Sequence, residues 1–207
     1  MPHVPKGEST GMPLLSYAEA AAASGHSGAY DSAKWLYVPD FYTEYRYVLG
    51  TRGKRPLICI GINPSTAEPD NLDNTLKSVQ RIAAANGFDS FLMFNVYAQR
   101  ATDPDDMDRD FNAPLHKENM EAFAAILGAA EKPTLWAAWG TIIEKRPYLP
   151  DCVREMAEIA ERMDAVWVCA GNCSKKGHPH HPLYLRKDER IRPFNMKEYL
   201  DNIDARP

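Results

Sequence analysis

Four short apolar runs, residues 57–62, 90–96, 134–139 and 165–170, are separated by segments whose apolar residues recur at helical spacing. This alternation constrains the fold more than any other feature. Continuous apolar runs of this length suit strands buried on both faces, and a helix after each strand suits a parallel sheet covered on both sides. Residues 74–86 place Leu76, Val79, Ile82 and Ala83 on one helical face, with Asp73 or Asn74 as the cap and Gly87 as the stop. A second helix is expected over about residues 115–130, around Phe123, Ile126 and Leu127. A third follows Pro150, capped by Asp151 and striped by Val153, Met156, Ala157 and Ala160. The expected fold is a three-layer α/β/α sandwich on a mainly parallel four-stranded sheet, formed by residues 35–207 as one domain. Residues 1–34 mix Pro, Gly, Ser and Ala with little periodicity and read as an appendage, part of it mobile.

The chain has 207 residues, long enough for one sizeable core and short for two. No apolar run approaches the roughly 20 residues needed to span a bilayer, so no membrane partner is expected. The start MPHVPKGEST has no apolar signal-peptide core behind it, which points to the cytoplasm. The four cysteines lie mostly in strand or helix patterns and read as reduced thiols. A net charge of −4 argues against nonspecific coating of nucleic acid. Residues 171–192 nevertheless carry six basic side chains against two acids, a basic island in an acidic chain.

In an open parallel sheet, ligands bind at the carboxyl ends of the strands. The first run ends in Asn63-Pro64-Ser65-Thr66 and the second in Asn95, before VYAQRATDP; the third ends in Trp139-Gly140-Thr141 and the fourth in GNCSKKGHPHHPLYL. Any one of these could be an ordinary loop. Four together point to a shared cleft. An Asn side chain, with one acceptor and two donors in a plane, can orient a water or pair with the amide-like edge of a nucleobase. His181 can donate a hydrogen bond to a developing anion.

Other chemistries fit the same residues less well. Gly61, Ser65 and Thr66 could begin a phosphate cradle, but the second glycine and the Lys-Ser/Thr of a P-loop are missing. Cys169, Cys173, His178, His180 and His181 have the residue types of a zinc site without CxxC spacing, so no metal is expected. Ser65 is not set in a GxSxG nucleophile elbow.

NPSTA after the first strand, DNT opening the next helix, NVYAQRATDP, AAWG and the late HPLYL, in that order from about residue 45 to 185, resemble a bacterial and phage family catalogued as a domain of unknown function. That family in turn distantly resembles the uracil-DNA glycosylase superfamily. By this resemblance GINPS is similar to a first glycosylase motif in which Asn63 would position the attacking water. NVYAQRATDP is similar to the NVVKCRPP segment of the iron–sulfur branch and makes Asn95 the reader of the base. Gln99 stands where that branch has a cluster cysteine, so no cofactor is implied. HPLYL would correspond to the second motif, with His181 stabilising the leaving base and the following residues pressing into nucleic acid.

The functional expectation is a glycosylase-like hydrolase acting on a nucleobase in nucleic acid or a nucleotide, with Asn63 and His181 catalytic. Pro64, Ser65, Thr66, Asn95, Gly140 and Tyr184 would line the substrate site, and Lys175, Lys176 and Arg186 would hold phosphate. The alternative expectation is a recognition module on the same scaffold that binds a nucleotide or modified base without cleaving it.

Overall fold

The computed structural model describes residues 11–41 and 43–204. Four parallel strands form the centre of the sheet: β3 (Pro56–Gly61), β4 (Ser90–Asn95), β5 (Thr134–Ala137) and β6 (Val166–Ala170). The sheet is wider than four strands. β1 (Trp35–Val38) and β2 (Val48–Thr51) add an antiparallel pair beside β4, and β7 (Ile191–Pro193) adds an antiparallel edge beside β6. The resulting order is β1-β2-β4-β3-β5-β6-β7.

Helix α2 (Asn74–Ala85) connects β3 to β4, whereas α3 (Ala113–Gly128) and α4 (Leu149–Arg162) run in the opposite direction along the sheet, from β4 to β5 and from β5 to β6. A right-handed crossover puts connections of opposite direction on opposite faces. The core divides accordingly. Leu76, Val79, Ile82 and Ala83 of α2 pack with Leu57 and Cys59, while Phe123, Leu127, Val153 and Met156 of α3 and α4 pack with Ile58 and Ile60. Adjacent residues of β3 thus feed two different cores, which is why the strand reads as one unbroken apolar run. Burying each large aliphatic side chain of the α2 stripe contributes about 1.5–3 kcal/mol.

Local signals set the helix ends. Asp73 caps α2, its Oδ1 accepting from the Leu76 N–H at 2.8 Å. Asn112 caps α3, which begins two residues ahead of the expected start, and its Oδ1 accepts from the Leu115 N–H. Asp151 does not cap α4. That helix begins at Leu149 with Pro150 in its first turn, where proline's fixed φ suits a helix start, and Asp151 lies inside the turn near the positive end of the helix dipole.

In the N-terminal segment, residues 1–10 lie outside the described residues. Residues 11–34 include α1 (Tyr17–Ala23), closed by a capping box between Ser16 and Glu19. Ala20 of α1 is fully buried, and Leu15 exchanges hydrogen bonds with the hydroxyls of Tyr45 and Tyr47. A final helix, α5 (Met196–Asp204), packs beside α4 through Met196 and Tyr199. Among the described residues no helix is long and apolar enough to cross a membrane.

Candidate functional site

The ends of β3 and β4 do not splay apart when the strands stop. Val96, Tyr97 and Ala101 donate backbone N–H groups to the carbonyls of Gly61, Ile62 and Pro64, so the loop after β4 is stitched to the loop after β3. The Arg100 guanidinium adds bonds to the Ser65 and Tyr45 carbonyls and to the Tyr37 hydroxyl. These two loops, the first turn of α2 and the segment around His181 enclose a cleft of about 370 Å³.

Asn63, Ser65, Thr66, Asn95 and His181 all line this cleft. Asn63 Nδ2 donates to the carbonyls of Ala101 at 2.7 Å and Pro64 at 3.1 Å. Its amide plane is thereby fixed, and its Oδ1 remains the acceptor available to a ligand or water. Pro64 lends its carbonyl to that tether rather than a cleft surface.

Asn95 is the unusual residue. Its side chain is buried, with 1% of the residue exposed, and among the described residues neither Oδ1 nor Nδ2 has a hydrogen-bond partner. A buried amide left unsatisfied costs about 1–3 kcal/mol, so its retention at a cleft wall needs a compensating use. Its backbone is held from the far side, where Asn119 Nδ2 of α3 donates to the Asn95 and Val96 carbonyls. Gly61, its register partner on β3, keeps the space open. A Cβ there would overlap Met93 Cε and stand 3.1 Å from Asn95 Oδ1.

His181 opens a short 3-10 turn, Pro182–Tyr184, and its Nδ1 accepts from the Leu183 N–H at 3.4 Å. The neutral ring then carries its proton on Nε2. Burial lowers the His181 pKa, an effect partly opposed by Asp73, so the ring is neutral at pH 7. The turn is anchored to α2 by the Ser78 hydroxyl, which donates to the Pro182 carbonyl at 2.8 Å. Gly140 supports the ring's position from behind rather than lining the cleft. It takes φ +64°, donates its N–H to the Pro179 carbonyl, and leaves His181 Cβ 3.5 Å from where its own Cβ would be. Leu183, not Tyr184, lines the cleft; Tyr184 is 79% exposed.

The expected phosphate ligands lie elsewhere. Lys175 and Lys176 border a separate cavity of about 1030 Å³ with Cys173 and Tyr199, and Lys176 pairs with Glu144 at 2.7 Å. Arg186 faces Asp188 at 3.5 Å on the surface. Lys175 and Lys176 sit within the tight turn closed by the Ser174–His178 and Gly177–Ser174 hydrogen bonds, and none of the three cations is among the residues that line the cleft.

Sequence reasoning missed the cation that does line the cleft. Arg46, just before β2, is 1% exposed; its Nη1 donates to the Ala67 carbonyl at 3.0 Å, and its Nε has no partner among the described residues. Burial, then the neighbouring Arg100, depress its pKa to about 9, against smaller opposing effects of Tyr37 and Asp73. It remains charged at neutral pH. The available signal was an arginine within the apolar run Tyr45-Arg46-Tyr47-Val48. Gln99, which stands where the iron–sulfur segment has its cysteine, closes the loop after β4. Its side-chain amide donates to the Asp108 carboxylate and accepts from the Asp108 backbone N–H.

Fold and site together define an α/β protein with a preorganised polar cleft at the carboxyl ends of its central parallel strands, the usual ligand position in such sheets. Residues 46–183, which carry β2 to β6 and nearly all of the cleft, match the family described as Protein of unknown function (DUF1643), and the chain belongs to that family. No curated protein and no solved structure matches the chain.

Proposed function

We propose that the cleft binds a nucleobase, in nucleic acid or in a nucleotide, and hydrolyses the bond between base and sugar. The observation that carries this reading is the unsatisfied amide of Asn95, which offers adjacent donor and acceptor groups complementary to the edge of a base. The distant likeness of GINPS and HPLYL to glycosylase motifs supports the same assignment. Asn63, its Nδ2 tethered, presents Oδ1 to a water and orients it toward the sugar carbon. Glycosidic cleavage passes through an oxocarbenium-like state, so orientation of the water matters more than its deprotonation. Neutral His181 donates from Nε2 to the departing base as negative charge develops on it.

One observation favours recognition without cleavage. Among the described residues that line the cleft there is no Phe, Tyr or Trp to stack on a base. Release of bases from single-stranded and duplex DNA, RNA and nucleotides carrying uracil and other modified bases separates the readings. Hydrolysis requires release that Asn63→Ala and His181→Ala each reduce by at least about 100-fold while binding persists. Binding with no release from any substrate assigns the cleft to recognition.

A further inference from the structure

The cleft contains more positive character than reading a neutral base requires. Arg46 is buried, its Nη1 donates to a carbonyl, and among the described residues no carboxylate is within ion-pair distance of it. Arg100 lies close behind it and spends its donors on two carbonyls and a hydroxyl. Two buried guanidiniums hydrogen-bonded only to neutral oxygens, with the Asp73 carboxylate acting on Arg46 from beyond ion-pair distance, are costly to hold together unless a nearer anion completes the set.

The opposite wall supplies suitable partners. The first turn of the twelve-residue helix α2 faces the cleft through Asn74 and Thr75. Asp73 already satisfies the Leu76 N–H, whereas the N–H groups of Asn74 and Thr75 have no partner among the described residues. Helix N-termini present such amides, with the positive end of the dipole, to phosphate oxygens. Asp73 is the one acid among the described residues that line the cleft, and its Oδ1 is engaged in the cap.

We infer that the cleft is built for a phosphorylated ligand, with one phosphate group bound between Arg46 and the first turn of α2 while Asn95 reads the attached base. The inference rests on the nucleobase reading above and sharpens it: the substrate class is a nucleotide, not a free base or nucleoside. The cleft volume is at the small end of the roughly 300–1,000 Å³ of small-molecule sites, enough for a single nucleotide unit. The phosphate is either that of a free mononucleotide or that of a nucleotide within a single strand.

Titration calorimetry on the full chain, at low ionic strength, tests this with nucleoside 5′-monophosphates, the matching nucleosides, ribose 5-phosphate and short single-stranded oligonucleotides. The expected result is that a nucleotide, free or in the oligonucleotide, binds at least about tenfold more tightly than its nucleoside. Arg46→Met removes that preference. The comparison of nucleotide with nucleoside uses the unaltered protein, so it stands even if Arg46→Met does not fold. Binding by monophosphates assigns the source to free nucleotides; Arg46-dependent binding by oligonucleotides alone assigns it to a strand. Equal binding of nucleoside and nucleotide overturns the phosphate site and leaves the base reading intact. Ribose 5-phosphate binding as well as every nucleotide overturns the base reading and leaves the phosphate site intact. Failure of all four ligands overturns both.

Discussion

Two polar clusters sit at the same end of the same sheet and differ in one respect. In the cleft, Asn95 and Arg46 are buried with polar atoms that have no partner among the described residues. On the far side of His181, His178 is equally buried, yet both ring nitrogens are engaged, Nδ1 with the Tyr199 hydroxyl at 2.9 Å and Nε2 with Glu144 at 3.0 Å. Trp139 Nε1–H donates to that same hydroxyl at 2.7 Å, and Lys176 completes the Glu144 carboxylate. A closed network of this kind fixes a geometry. It ties the segment after β6, which carries His181, to the loop after β5 and to α5. The open cluster is unfinished without a ligand. Buried polar residues at strand ends are therefore not equivalent: satisfaction separates the brace from the site.

Breaking the brace gives the largest effect on stability. His178→Ala removes a buried ring and strands the groups that bonded to it, and is expected to lower the unfolding free energy by about 3 kcal/mol. For a chain of this size that is a drop of about 6–12 °C in Tm. Thermal unfolding measured by circular dichroism checks it. A drop no larger than that of an exposed substitution would show that the network does not brace the fold.

The same operation in the cleft should have the opposite sign. Asn95→Leu replaces an unsatisfied amide by an apolar group of similar size, which can be neutral or stabilising when no ligand is present. The expected gain is about 1 kcal/mol in urea unfolding, together with loss of nucleotide binding. If Asn95→Leu were as destabilising as His178→Ala, Asn95 would belong with the brace and the contrast would collapse.

Much of this was legible in sequence, for reasons that particular residues make plain. The four central strands are continuous apolar runs because both their faces are covered, and Asn63, Asn95 and His181 share one cleft because all follow strands pointing the same way. The antiparallel additions were not legible: β1, β2 and β7 are three or four residues long and too short to show a period. Arg46 was missed because a side chain so long ends far from its own backbone, where only tertiary packing decides. Lys175, Lys176 and Arg186 show the converse: they share a stretch of chain with His181 but do not line the cleft with it, since neighbours in sequence need not point the same way in space.

A smaller perturbation tests how tightly the cleft wall is held. Gly61→Ala places a methyl group against Met93 Cε and 3.1 Å from Asn95 Oδ1. The Met93 end can swing aside, so the stability cost should stay under about 1 kcal/mol. The Asn95 amide, pinned through its backbone by Asn119, has less room, and nucleotide binding should weaken more than stability does. Equal and slight losses in both would mean that the amide adapts and is not preorganised.

The smallest effect expected lies in the acid response of the brace. Bonds from Lys176 and then His178 hold the Glu144 pKa down at about 2. A carboxylate depressed in the folded state contributes stability that is present above its ordinary pKa near 4.5 and lost as pH falls toward about 2, because the unfolded chain takes up the proton first. Glu144 is 39% exposed, so solvent screens much of this contribution. Glu144→Gln should therefore flatten the decline of Tm between pH 4.5 and 2 relative to the parent, with the two proteins differing most at neutral pH and converging in acid. His181 acts in a separate window. Burial lowers its folded pKa below 6.5, so its protonation in the unfolded chain reduces stability as pH falls through 6.5, and a bound anion beside it should lessen that loss. Parallel Tm–pH curves for Glu144→Gln and the parent below pH 4.5 would remove Glu144 from the brace, leaving the Trp139, Tyr199 and His178 bonds to carry it alone.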